Sequence, residues 1–398
     1  MTKAYVAGTL DTKGPEMRYL RDLIQAAGVP AVLVDVGTAS GGEGADVTAR
    51  EVAACHPGGE AAVFTGDRGS AVAAMADAFA RFVAGRQDLG GLIGGGGSGN
   101  TNIVSAGMRA LPVGVPKLLV STLGSGDVRP YVGASDICMM NAVTDVQGIN
   151  SISRTVLGNA AHALAGMMKW SIPVPAQADR PAVALSMFGV TTPCVQAVAK
   201  ALEDRFDCLV FHATGAGGQA MEKLIDSGLV RAVIDVTTTE IADELVGGIL
   251  SAGPERLDAI IRTRTPWIGS VGALDMVNFG PRASVPAKFE DRLLYVHNPT
   301  VTLMRTTPEE NTRIGRWIVG KINRMEGPVR FFLPLGGVSV IDVPGMPFHD
   351  PAADQALFDA IRSGWQEAPN RRLVELPHAL NDPAFAQALV DAFHEITG

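Results

Sequence analysis

The sequence predicts an α/β protein made of two parallel-sheet domains facing each other across a cleft. Three observations carry this. Short apolar runs alternate with helical patterns along the chain, as expected of buried parallel strands covered by helices on both faces. The 398 residues, 47% of them hydrophobic, exceed the roughly 250–300 residues that one core holds. A proline-rich polar stretch, SIPVPAQADRP, interrupts the alternation at residues 171–181, after which it restarts. A linker there separates a Rossmann-like domain at 1–175 from a second one at 181–398.

In the first domain AYVAGTL is a strand, and GPEMRYLRDLIQAAG a helix with Met17, Leu20, Leu23 and Ile24 on one face and Gly28 as its stop. AVLVDVG, AAVFTGD, LGGLIGG and PKLLVST read as further strands. SAVAAMADAFARFVAG and NTNIVSAGMRAL read as the helices between them, and GINSISRTVLGNAAHALAGMMKW closes the domain as a long helix. In the second domain three strand–turn–helix units follow: AVALSMFGVTTPCVQAVAKALED, DCLVFHATGAGGQAMEKLIDSG and RAVIDVTTTEIADELVGG. LLYVHN and VRFFLPLGG are later strands. Thr307 caps the helix between them, with Pro308, Glu309 and Glu310 in its first turn. Two segments opening with Asp-Pro continue as amphipathic C-terminal helices.

Charged residues make up 19% of the chain, the net charge is −8, and there is no Lys/Arg-rich block. That excludes a nucleic-acid surface as the expected partner. No signal peptide and no apolar run of about 18 residues occurs, so a cytoplasmic protein without membrane contact is expected. Cys55, Cys138, Cys194 and Cys208 form no C-x-x-C pair and read as reduced thiols.

The densest glycine stretch, GLIGGGGSGNTNI, lies where a strand gives way to a helix. Ligands bind at that edge in open α/β sheets, and glycines let an anion reach backbone N–H groups at the helix N-terminus. Gly94, Gly96 and Gly99 satisfy G-x-G-x-x-G. A Walker loop would have Lys where Asn100 stands, and a dinucleotide fingerprint would have an acid about 20 residues on, near Ser121 and Thr122. Neither standard form fits. A backbone nest remains, built on Gly94, Gly95, Gly96, Gly97 and Gly99 with the side chains of Ser98, Asn100 and Thr101.

Other strand ends add polar loops to the same crevice. The first, after Gly8, offers Thr9, Asp11 and Lys13, with Lys13 a phosphate ligand and Asp11 a metal or ribose ligand. Asp35 closes the next strand, where a Rossmann acid meets ribose hydroxyls. Thr65, Gly66, Asp67 and Arg68 follow the run AAVF, and Ser121, Thr122 and Gly124 follow PKLLV. In the second domain His212 ends a strand beside a glycine-rich turn, making it the candidate general acid/base, with Asp235 as a second catalytic candidate. Glu240 and Asp243 read as helix-capping acids, and His297 and His349 as lesser alternatives. There is no nucleophile elbow, no H-E-x-x-H and no zinc spacing.

The ordered set GTLDTKG, VDVGT, TGDRG, GLIGGGGSGNT, STLGSGD, DVTTTEIADEL and VHNPTVTLMRTT resembles the nucleotide-binding domain of the tomato mosaic virus resistance protein and its bacterial relatives. The likeness runs from about residue 3 to about residue 345. It implies two Rossmann-like subdomains, a dimer, and ATP at residues 8–13, 94–102 and 121–125; any metal is expected to be Mg²⁺ carried with the nucleotide and held by few protein ligands. An ATP-dependent enzyme acting on a small organic acid in the cleft is the leading expectation. A nucleotide-independent enzyme and a nucleotide-controlled regulatory module are the alternatives.

Overall fold

A computed structural model describes residues 2–39, 42–170 and 180–398. The chain divides into two compact units, Met1–Val174 and Pro175–Gly398. Most of the predicted linker lies outside the described residues. Among those described, no helix is long and apolar enough to cross a membrane.

The first unit is built on β1 (Lys3–Gly8), β2 (Ala31–Asp35), β3 (Leu89–Gly96), β4 (Lys117–Ser121) and β5 (Cys138–Asn141). All pairings are parallel and the order is β2-β1-β3-β4-β5. Alternate residues of β1 enter different cores: Ala4 and Val6 pack with the helices Leu10–Ala26 and Ser151–Lys169. Tyr5 and Ala7 pack with the helices Arg68–Ala84 and Ser98–Ala110. Because strand side chains alternate between faces, these two helix pairs cover opposite faces of the sheet. The strand predicted at AAVFTGD is absent. Residues Glu60–Val63 form a short helix that buries Val63 in the second of these cores, and an apolar run this short does not distinguish the two states.

In the second unit β6 (Ala182–Met187), β7 (Asp207–His212), β8 (Ala232–Thr237) and β9 (Trp267–Gly272) belong to the main sheet. β10 (Met276–Phe279), β11 (Leu294–Asn298) and β12 (Val301–Arg305) form a separate antiparallel sheet, order β10-β12-β11. β13 (Val329–Pro334) and β14 (Arg371–Leu376) return to the main sheet, all parallel in the order β14-β13-β9-β8-β6-β7. Counted from its own first strand, this sheet repeats the order of the first unit and adds one strand. The predicted strand LLYVHN therefore lies outside the parallel sheet. β9 carries no clear apolar run because Gly269 makes room for a ring: a Cβ there would stand 1.9 Å from the Trp267 indole. That indole stacks on Phe331 of β13 at 5.6 Å. The Thr307 cap forms as expected, with Glu310 completing a capping box.

Candidate functional site

In a sheet of order 2-1-3-4-5 the connections leave in opposite directions from the first and third strands, and ligands settle in the crevice at that switch point. The first unit has a cleft of about 620 Å³ there, lined by the turn after β1 and the turn after β3. The glycine stretch divides into two parts. Gly94, Gly95 and Gly96 are strand residues, and their bareness serves packing. A Cβ on Gly94 would stand 2.7 Å from the Ala7 carbonyl oxygen, and one on Gly96 would stand 3.0 Å from the Asn100 Cβ. Gly97 and Gly99 face open space instead, with nothing closer than 3.9 Å and 4.0 Å. Gly97 caps the helix Ser98–Ala110 without any side-chain hydrogen bond. The first N–H groups of that helix lack intrahelical partners and aim positive potential at the cleft.

Two cations border this open end. The Arg68 guanidinium lies 4.0 Å from the place a Gly99 side chain would start, and Lys13 lines the cleft beside the turn after β1. No ion pair of either is found among the described residues. Asp11 lines the same cleft, as does Asp145, an acid that sequence reasoning missed because β5 ahead of it went unrecognised. Ala71, Val72 and Ile103 were also missed, being ordinary core-type residues on the helices Arg68–Ala84 and Ser98–Ala110. Among the described residues no group of three His, Cys, Asp or Glu could hold a metal.

Several expected ligands turn inward. Asp35 is 1% exposed. Its carboxylate accepts from the N–H groups of Leu10, Gly37 and Gly42 at 2.8–3.1 Å. It clamps two turns together, so the ribose contact expected of it is corrected. Thr101 and Ser121 are fully buried and share a 2.7 Å hydrogen bond that ties helix to strand end. A Cβ on Gly124 would meet the Asn141 backbone at 2.8 Å, so this glycine serves the approach to β5. Thr65 and Asp67 stay exposed: Asp67 caps the helix Arg68–Ala84 by accepting from the Ser70 backbone N–H, which holds its carboxyl below its usual value, and Thr65 shares a hydrogen bond with the Ser70 hydroxyl. Gly66 turns ahead of that cap with φ +82. Gly8 is filled against Met17, 2.6 Å from its would-be Cβ. Thr9, Gly66, Asp67, Gly97, Ser98 and Gly99 line the cleft, and Thr122 stands beside Gly97.

Asn100 differs from these. It is 5% exposed, and its Nδ2 donates to the Gly95 carbonyl at 2.7 Å. Its Oδ1, close to the end of β1, has no partner although the residue lines the cleft. An unpartnered buried acceptor is costly, and a donor brought by a ligand would satisfy it.

The second unit does not assemble the expected acid–base pair. His212 is exposed on edge strand β7, stacked on Phe188 at 5.3 Å. Asp235 lies on β8, and β6 runs between the two strands. Its carboxylate is 0% exposed and takes two hydrogen bonds from Arg256, at 2.7 and 2.9 Å. A sealed ion pair of this kind cannot exchange a proton with substrate, so the catalytic role expected of Asp235 is corrected. Arg256 also pairs with Glu240 and Glu222. The Glu240 carboxylate accepts from the N–H groups of Gly215 and Gly218 at 2.7 and 3.0 Å. It thus caps a helix other than its own. Burial pushes its carboxyl above the usual range despite Arg256, and pushes that of Asp243 up to about 7.

Comparison with known proteins covers both units. A UPF0261 protein of Rhizobium meliloti is 55% identical over 100% of this chain and 99% of its own. One of Clostridium tetani is 45% identical over 97% of each. The ToMV resistance protein Tm-1(GCR237) of Solanum lycopersicum is 39% identical over 99% of this chain, which spans 56% of that longer protein. The N-terminal domain of the uncharacterised protein family UPF0261 matches residues 2–173 and its C-terminal domain matches 180–397. With both domains matched in order and relatives aligned end to end, the chain belongs to the UPF0261 family.

Proposed function

We propose that the first unit binds ATP in the crevice between the ends of β1 and β3. The observation that carries this is a helix N-terminus at the switch point without a side-chain cap, open at Gly97 and Gly99 and bordered by Lys13 and Arg68, which have no ion pair among the described residues. Such a terminus takes phosphate oxygens on backbone N–H groups. The free Asn100 Oδ1 asks in addition for a donor, and a ribose hydroxyl or a hydrated cation supplies one. Mg²⁺ fits this cleft: it is commonly held by one or two carboxylates together with nucleotide phosphates, and Asp11 and Asp145 are available. When bound, it would neutralise phosphate charge. The homodimer expected from the resemblance belongs to the same proposal, and sedimentation tests it.

Isothermal titration with ATP, with and without Mg²⁺, tests the proposal. Saturable binding is expected for the wild type. Gly97→Val should abolish it while the variant still folds, with about 1 kcal/mol lost to the poorer N-cap residue, because Gly97 has an extended backbone (φ −82, ψ −166) and space beside it. No binding by the wild type, or undiminished binding by the variant, would overturn the proposal.

A further inference from the structure

The cleft has two chemically different walls, and the sheet keeps them apart. Ala71, Val72 and Ile103 come from the helices Arg68–Ala84 and Ser98–Ala110, which cover one face. Lys13 and Asp11 come from the helix Leu10–Ala26, and Asp145 from the turn before Val146; both pack into the core of the opposite face. The bare turn at Gly97 bridges the two walls across the sheet edge. A ligand lying along this path meets Val72 with Arg68 and Asp67 first, then open backbone N–H groups, then the wall that carries Lys13, Asp11 and Asp145.

From this arrangement we infer that the cleft orients its nucleotide, with the base against Val72 under Arg68 and the terminal phosphate at Lys13, which makes Lys13 the residue that distinguishes a nucleoside triphosphate from a diphosphate. This rests on the ATP reading given above. An aromatic base gains by leaving water for an apolar wall, and a guanidinium lies favourably over its face. The terminal phosphate is the group furthest from the base, so it falls to the opposite wall. There Lys13, a point charge with no partner among the described residues, can reach it. Lys13 also sits where the helix departs from helical geometry (φ −124, ψ 17), so its side chain leaves the helix path at the cleft. Arg68, beside Gly99 where base and first phosphate meet, should not sense how many phosphates follow.

The test measures binding of ATP, ADP and inorganic tripolyphosphate, at fixed Mg²⁺, to the whole chain and three variants. Lys13→Met should weaken ATP and tripolyphosphate by about tenfold or more, the scale of one charged hydrogen bond, and ADP by about threefold at most. Lys13→Arg, which restores the charge, should recover most of the loss. Arg68→Ala should weaken ATP and ADP equally, and Val72→Glu should weaken both nucleotides while sparing tripolyphosphate. Equal losses of ATP and ADP in Lys13→Met, or discrimination lost in Arg68→Ala instead, would overturn the orientation while leaving nucleotide binding intact. A wild type that binds none of the three ligands would remove the ATP reading itself and this inference with it.

Discussion

The two units share a strand order and differ at its switch point. In the first, the turns after β1 and β3 meet with bare backbone at Gly97 and Gly99, whereas the lack of a side-chain cap on the helix after the third strand is common to both units. In the second, the turns after β6 and β8 meet through side chains. Thr191 and Thr237 share a 2.7 Å hydrogen bond, and Thr237 also reaches Ser186. Thr238 bonds the Ser270 carbonyl, and all of these threonines are buried. Glu240, from the same turn, places its carboxylate in the glycine-rich turn after β7, where a Cβ on Gly218 would collide with it. The anion that a ligand would bring to the first unit is, in the second, part of the chain. Topology sets where a crevice forms, and the local side chains decide whether it is left open.

The sharpest break of this comparison removes Arg256, the cation that pairs with Asp235, Glu240 and Glu222. Leaving buried carboxylates uncompensated costs about 3–5 kcal/mol, so Arg256→Met should strongly lower stability in urea. The ATP binding proposed for the first unit should persist at temperatures where the second stays folded.

Next in size is a pH effect. Burial raises the folded Asp243 carboxyl from 3.8 to about 7, so between those values the folded state holds a proton that the unfolded state has lost. Stability from this group is therefore full below about pH 4 and declines as pH rises towards 7, by about 1.4 kcal/mol for each pH unit crossed at most. Against Asp243→Asn as reference, urea unfolding from pH 4 to 7 should show the wild type losing relative stability. A flat difference would refute the assignment.

Glu240→Gln should cost about 1–3 kcal/mol by weakening the charged acceptor for Gly215 and Gly218, with ATP affinity unchanged. The smallest effect belongs to Thr101→Val. Losing its bond to Ser121 should cost about 1 kcal/mol and alter ATP affinity less than about twofold. A large loss of affinity would return Thr101 to the ligand side of the loop.

The sequence by itself determined the α/β class, the restart of the pattern after residue 170, and the placing of polar glycine-rich turns at strand ends. Those signals are local: apolar runs, periodic helices and capping residues act within a few neighbours along the chain. Tertiary structure decided the rest. β5, β9 and β14 became strands by pairing with neighbours, in β9 around the Trp267 ring. The same kinds of residue were sorted by distant contacts into outward and inward roles. Lys13 and Arg68 have no partner among the described residues and border the cleft. Asp35 and Asp235, no less polar, met backbone N–H groups or a guanidinium brought from far along the chain. A buried charge must find a partner, and the identity of that partner is set by the fold, beyond the reach of any single stretch of sequence.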